Sequence, residues 1–237
     1  MSIHAQSPGE TAPLLEILQH AGGVLTQRDG CSVVVNYGSA AGELAACVRA
    51  VGLADCSQLV KLVLEGPDGY LGELVEHMTG VAPAPGGAVF AGGGWWCADH
   101  PGRVIVLIDP RPGLRLKAQL LAALQRYSAV SLSDHSAKWA ALAVIGHRAR
   151  PLLAELGVYG EPADPRQVPP LTRRPIAGVD VLWLLESDHR ALALVPATAA
   201  SAVWRTIDQA GQPFGICAVG SDAVARYALI RDAHTAL

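Results

Sequence analysis

The stretch "GLADCSQLVKLVLEGPDG" (Gly52–Gly69) decides how this chain is read, because a close variant, "SLSDHSAKWAALAVIGHRA" (Ser131–Ala149), returns later. In each copy an Asp-x-Ser turn leads into an apolar run that stops at a glycine, and a helix-like segment follows. Asp55 corresponds to Asp134, Ser57 to Ser136 and Gly66 to Gly146, with one residue of slippage. Asp and Ser suit a turn because their short side chains bond nearby backbone groups. The repeat predicts a pseudo-duplicated domain in which each half enters a central strand through such a turn.

Working outward, "CSVVVNYGS" reads as a β-branched strand bounded by turn residues. "AAGELAACVRAVGL" reads as a helix with Leu44, Val48 and Val51 on one face. After the strand "VKLVLEG", Pro67-Asp68 opens a helix that Gly80 closes. The Pro- and Gly-rich segment from Val81 to Gly102 predicts loops around one or two short strands, and "RVIVLID" a strand. "GLRLKAQLLAALQRY" predicts an amphipathic helix buried along Leu116, Leu120, Leu121 and Leu124. The second repeat adds the strand "WAALAVIG" and the helix "RARPLLAELG". A Pro-rich connection (Glu161–Gly178) precedes the strands "VDVLWLLE" and "RALALVP", joined by a tight turn at Ser187-Asp188-His189. "ATAASAVWRTIDQAG" and the tail from Ser221 read as helices. Residues 1–12 read as a disordered leader, and 13–237 as one domain of two pseudo-repeated halves. Hairpins and a repeat among alternating strands and helices point to an α+β fold with mainly antiparallel sheets and flanking helices. The glycine clusters do not follow a strand as in a GxGxxG or P-loop motif, so nucleotide binding lacks support.

The composition narrows the function classes. The 237 residues are 51% hydrophobic and 16% charged, enough for one large domain or two small ones sharing a core. A formal charge of −3 with no basic run argues against a nucleic-acid surface. The N-terminus has no basic-then-apolar signal pattern, and the longest apolar runs are strand-sized, so no membrane span is expected. Five scattered cysteines read as reduced thiols in the cytoplasm. Cys97-x-x-His100 has the spacing of half a zinc site without a second pair. Cys56 lacks a nearby base to activate it and reads as packing. Trp95-Trp96 reads either as a stacking platform or partner anchor, or as a hairpin with one indole turned inward.

Several segments resemble the aminomethyltransferase family typified by the glycine-cleavage T-protein. The resemblance rests on Val48-Arg49, Gly52-Leu53, Asp55, Ser57 and Gly66-Pro67, then on the second copy, where Gly146-His147 replaces Gly-Pro. "ALALVPATAASAVWRTIDQAG" and "VGSDAVARYAL" extend it, so that it runs from about Asn36 to Leu229. The resemblance implies a folate-binding-domain-like fold, here without the family's C-terminal barrel, and tetrahydrofolate in a central cavity. The family's acidic "GG-x-x-DD" pair is absent, Asp99 being the sole carboxylate before the next strand. Counting back from Val195-Pro196 places Asp188 where the family has a pterin-binding Glu, with Glu186 two residues away. A carboxylate suits that role because it can accept two N–H bonds from an aminopyrimidine. Trp95, Trp96 or Trp183 would stack on the pterin. The family's last-helix arginine falls on Ala228, with Arg226 and Arg231 nearby.

Two expectations follow from the resemblance. The chain moves a one-carbon (aminomethyl or methylene) unit between an amine substrate and tetrahydrofolate. Alternatively it is a non-catalytic assembly subunit, similar to the gamma subunit of heterotetrameric sarcosine oxidase, partnering a larger flavin- and folate-containing chain. Oligomerisation is compatible with both.

Overall fold

The computed structural model describes residues 14–159 and 171–235, with side chains described up to residue 230. The expected leader over 1–12 lies outside the described residues. A short helix α1 (Leu15–His20) and a hairpin, β1 (Val24–Arg28) and β2 (Cys31–Asn36), lead into α2 (Ala40–Arg49). The first half continues with β3 (Val51–Asp55), β4 (Val60–Glu65) and α3 (Asp68–Thr79). A meander of β5 (Ala88–Ala91), β6 (Gly94–His100) and β7 (Arg103–Ile108) precedes α4 (Pro110–Ala123). The second half holds β8 (Ser131–Asp134), β9 (Trp139–Ile145) and α5 (Ala149–Glu155). Then come β10 (Leu171–Ile176), β11 (Val179–Ser187), β12 (Arg190–Pro196), α6 (Ala200–Gly211), β13 (Ile216–Ala218) and α7 (Ser221–Thr235).

Two sheets stack face to face, of order β10-β11-β12-β9-β3-β13 and β5-β6-β7-β4-β8. Every pairing is antiparallel except β13 with β3. Strand alternation sorts the side chains into three cores. On β9, Ala140, Leu142 and Val144 pack toward α5 and α6, while Ala141, Ala143 and Ile145 face the other sheet. On β4, Leu62 and Leu64 pack toward α3 and α4, while Val63 faces inward. The result is a helix–sheet–sheet–helix sandwich, with α2 and α7 packed together across its end.

The repeat makes the two crossings between sheets. Chain leaving β3 enters the other sheet as β4, and chain leaving β8 returns as β9. Asp55 accepts the Ser57 N–H at 2.9 Å, and Asp134 accepts the Ser136 N–H at 3.0 Å. Each serine hydroxyl then accepts a backbone N–H from the other half: Ala141 donates to Ser57 (3.2 Å) and Lys61 to Ser136 (3.0 Å). Cys56 N–H donates back to the Ala141 carbonyl, and His135 N–H to that of Lys61, both at 2.8 Å. The Asp-x-Ser turns are thus two reciprocal halves of one clasp. The repeat's closing glycines have a steric cause: a Cβ on Gly146 would lie 2.5 Å from the Ala50 carbonyl oxygen, and one on Gly66 2.8 Å from that of Ala129.

Some sequence expectations give way to packing. The helix expected to carry Val51 ends at Arg49, because residues 51–55 form a central strand between β9 and β13. Val48, assigned to that helix's buried face, is 47% exposed, and the helix buries Glu43 and Cys47 instead. On α4, Leu116 and Leu120 are buried while Leu121 faces solvent. Part of the Pro-rich connection, 171–176, is the edge strand β10, which tolerates Pro175 because an edge leaves some N–H positions unpaired.

Candidate functional site

The resemblance directs attention to the gap between the sheets. Its middle is closed: Val63, Ile105 and Leu107 from one sheet meet Leu184, Leu192 and Leu194 from the other, none more than 5% exposed. Such interiors pack as densely as organic crystals. Polar groups sit around this apolar centre.

One set lies at the β11–β12 hairpin. Glu186 and Arg190 turn inward and pair at 3.1 Å. Burial works against the charge on Arg190, but the Glu186 carboxylate beside it raises its pKa and keeps it protonated. Cys97 is fully buried in β6, where burial, reinforced by Glu186 and Asp99, pushes its thiol far up. Burial also drives Cys56 up to about 12, against the opposing pull of Arg190. Neither thiol is set up as a nucleophile, since the thiolate is the reactive form.

A second set bolts the sheets together. The Asp99 side chain, 1% exposed on β6, accepts from Nε and one terminal nitrogen of Arg173 on β10, the shortest bond at 2.7 Å. Arg173 also reaches Asp180 at 2.6 Å, and its pKa is raised chiefly by the Asp99 hydrogen bonds. Arg103 approaches Asp99 at 3.6 Å and lies over the Trp139 ring at 5.5 Å. Asp99 therefore works as an inter-sheet tie.

The third group is Lys61, fully buried inside the clasp. Its Nζ donates to the carbonyls of Ser57 (2.6 Å) and Ser136 (3.4 Å), one from each half. Burial lowers its pKa to about 8, although Asp55 favours the charge. Burial raises the pKa of Asp55, against the hydrogen bonds from Ser57 and the charge of Lys61.

The structure disperses the residues singled out in the sequence. Asp188 stands at the exposed hairpin tip, paired with Arg150 at 2.6 Å. Glu186 faces the gap, engaged by Arg190. Trp95 is half-buried on the gap side, edge-on to Phe90 with ring centroids 5.3 Å apart. Trp96 points the other way, 1% exposed in the core beneath α3 and α4, its indole N–H bonded to the Ala91 carbonyl at 3.2 Å. Trp183 is buried in the core beneath α5 and α6, so both sheets separate it from Trp96. Arg226 is exposed on α7. Only Glu186 and Trp95 share the gap. With both carboxylates held by arginines and the centre packed, these residues do not fit a pterin between the sheets. Sequence reading passed over Lys61, Arg190 and the Arg173–Asp99 tie. Period-two alternation in "VKLVLEG" places Lys61 on the same face as the inward Val63, and that was the available signal.

No protein-family model and no curated protein sequence matches the chain. Among solved structures, it is similar to glycine cleavage system aminomethyltransferase T from Bartonella henselae, with a TM-score of 0.65 at 18% identity. That match covers 89% of this chain and 59% of the other, so the chain spans 59% of that protein's length. It is also similar to a chain of the heterotetrameric sarcosine oxidase from Corynebacterium sp. U-96, solved in complex with pyrrole 2-carboxylate. There the TM-score is 0.59 at 20% identity, over 88% of this chain and 97% of that one. Both likenesses concern the fold, and the chain has the α+β fold of the aminomethyltransferases.

Proposed function

We propose that the chain is an assembly subunit of aminomethyltransferase fold, one that joins a larger oxidase-type chain and performs no one-carbon transfer in its own body. The observation that carries this reading is the state of the gap: its carboxylates are tied to Arg190 and Arg173, and its centre is filled by leucines. The end-to-end likeness to one chain of a heterotetrameric oxidase supports it. Exposed Tyr70, Phe90 and Leu114 provide apolar surface for such an assembly. Five free cysteines support a reducing, cytoplasmic location, and among the described residues no helix is long and apolar enough to cross a membrane.

The second reading is a tetrahydrofolate-linked one-carbon transfer protein, favoured by Glu186 and Trp95 facing the gap from its two opposite sheets. Titration with tetrahydrofolate, followed by Trp fluorescence and melting temperature together, separates the two. The assembly reading expects no saturable signal from a cooperatively folded sample. Micromolar binding that raises the melting temperature, and that is lost in the Glu186→Ala, Asp188→Ala double variant, would replace it with the folate reading.

A further inference from the structure

Along the free edge of β13 a cleft of about 640 Å³ opens between α1, α2 and α6. That volume is typical of small-molecule sites. No member of the Glu186–Arg190 or Asp99–Arg173 pairs lines it, so it is separate from the inter-sheet gap. Ile17, Trp204 and Ala218 give it apolar surface. Helix α6 adds Arg205 and Asp208, three residues apart and therefore neighbours on one helix face. These opposite charges do not close on each other. Asp208 Oδ1 receives only the Gln212 amide, at 3.4 Å, and among the described residues Arg205 has no hydrogen bond or ion pair. Elsewhere on the surface such charges do close, as in Arg150–Asp188 at 2.6 Å and Lys117–Asp134 at 2.7 Å.

The opposite wall narrows the ligand's chemistry. Glu43 accepts the N–H of Tyr37 at 2.6 Å and of Gly220 at 2.8 Å, so both its oxygens are engaged and it stays put as a buried carboxylate. A purely anionic ligand would face that carboxylate and Asp208 together, whereas a zwitterion would not be repelled. The Tyr37 hydroxyl, on a residue that lines the cleft, is buried with no hydrogen-bond partner among the described residues. We propose that this cleft binds a free α-amino acid with an apolar side chain. Its carboxylate lies on the Arg205 guanidinium, whose planar fork matches it, and its ammonium on Asp208. Its side chain packs against Trp204 and Ile17. The site is independent of the assembly reading.

Calorimetric titration of the full chain with L-leucine, L-methionine and L-phenylalanine tests the proposal. 4-Methylpentanoate and 3-methylbutylamine serve as leucine lacking its amine and leucine lacking its carboxylate. Saturable binding of at least one amino acid is expected, with the truncated analogues of leucine weaker than leucine by about tenfold or more, since each loses a charged hydrogen bond. Arg205→Met and Asp208→Asn should each lower affinity for the bound amino acid by a similar factor while leaving the ligand-free unfolding midpoint unchanged. Binding by none of the three amino acids, equal binding by the truncated analogues, or undiminished binding in both variants would overturn the assignment.

Discussion

Lys61 offers the sharpest test of the clasp. Its pKa is held at about 8 against an ordinary 10.5, and the side chain is wholly buried, so solvent does not screen the effect. One pKa unit corresponds to about 1.4 kcal/mol, so the full shift is worth about 3 kcal/mol. The sign follows from proton counts. Below pH 8 both folded and unfolded chains hold the proton, and the folded state bears the whole burial penalty. Between about 8 and 10.5 the unfolded chain binds more protons, so stability rises with pH through that window. Buried Cys47 and Cys56, both raised to about 12, act oppositely, because the unfolded chain loses those thiol protons first. The comparison is therefore between wild type and Lys61→Met, by urea unfolding at closely spaced pH values. At neutral pH the two differ little, because removing the charge is offset by leaving the Ser57 and Ser136 carbonyls unbonded. Toward pH 10.5 the wild type should gain about 3 kcal/mol on the variant. Parallel stability curves across the window would refute the buried, depressed lysine.

Other perturbations test the remaining ties. Ser57→Ala and Ser136→Ala each orphan a buried N–H of the other half, and each should cost about 2 kcal/mol in urea unfolding; a loss at one serine alone would break the reciprocity. Asp99→Asn removes the carboxylate facing Arg173 and Arg103 and should cost about 2 kcal/mol, less than a fully buried pair because Arg173 is 42% exposed and can re-solvate. Gly146→Ala meets a backbone oxygen at a φ of +133° and should cost more than about 2 kcal/mol by thermal melting. Gly72→Ala on α3 meets nothing and should stabilise by about 0.5–1 kcal/mol.

Much of this architecture is legible in the sequence. The Asp-x-Ser repeat, the Pro67-Asp68 start and Gly80 stop of α3, and the hairpin around Asp188 all depend on local chemistry, which a sequence displays directly. Val51 was misassigned because it continues the helical spacing of Leu44 and Val48, while its place as a central strand residue is set by β9 and β13, distant in sequence. Leu121 failed for a related reason: spacing identifies a stripe but not how wide a face the sheet covers. The site was less legible still. Trp95 and Trp96 look like one platform in sequence, yet strand alternation sends them into different cores. Arg173 and Asp99 lie far apart in the chain, and only the stacking of two sheets brings them together.

A chain that functions within a larger assembly should leave the cell bound to its partner. The most direct measurement is purification of the tagged chain from the cells that make it, with native mass determination and a flavin absorbance spectrum of what co-elutes. A stoichiometric complex with a larger flavin-bearing chain is expected. A lone chain, free of flavin and raised in melting temperature by tetrahydrofolate, would contradict it.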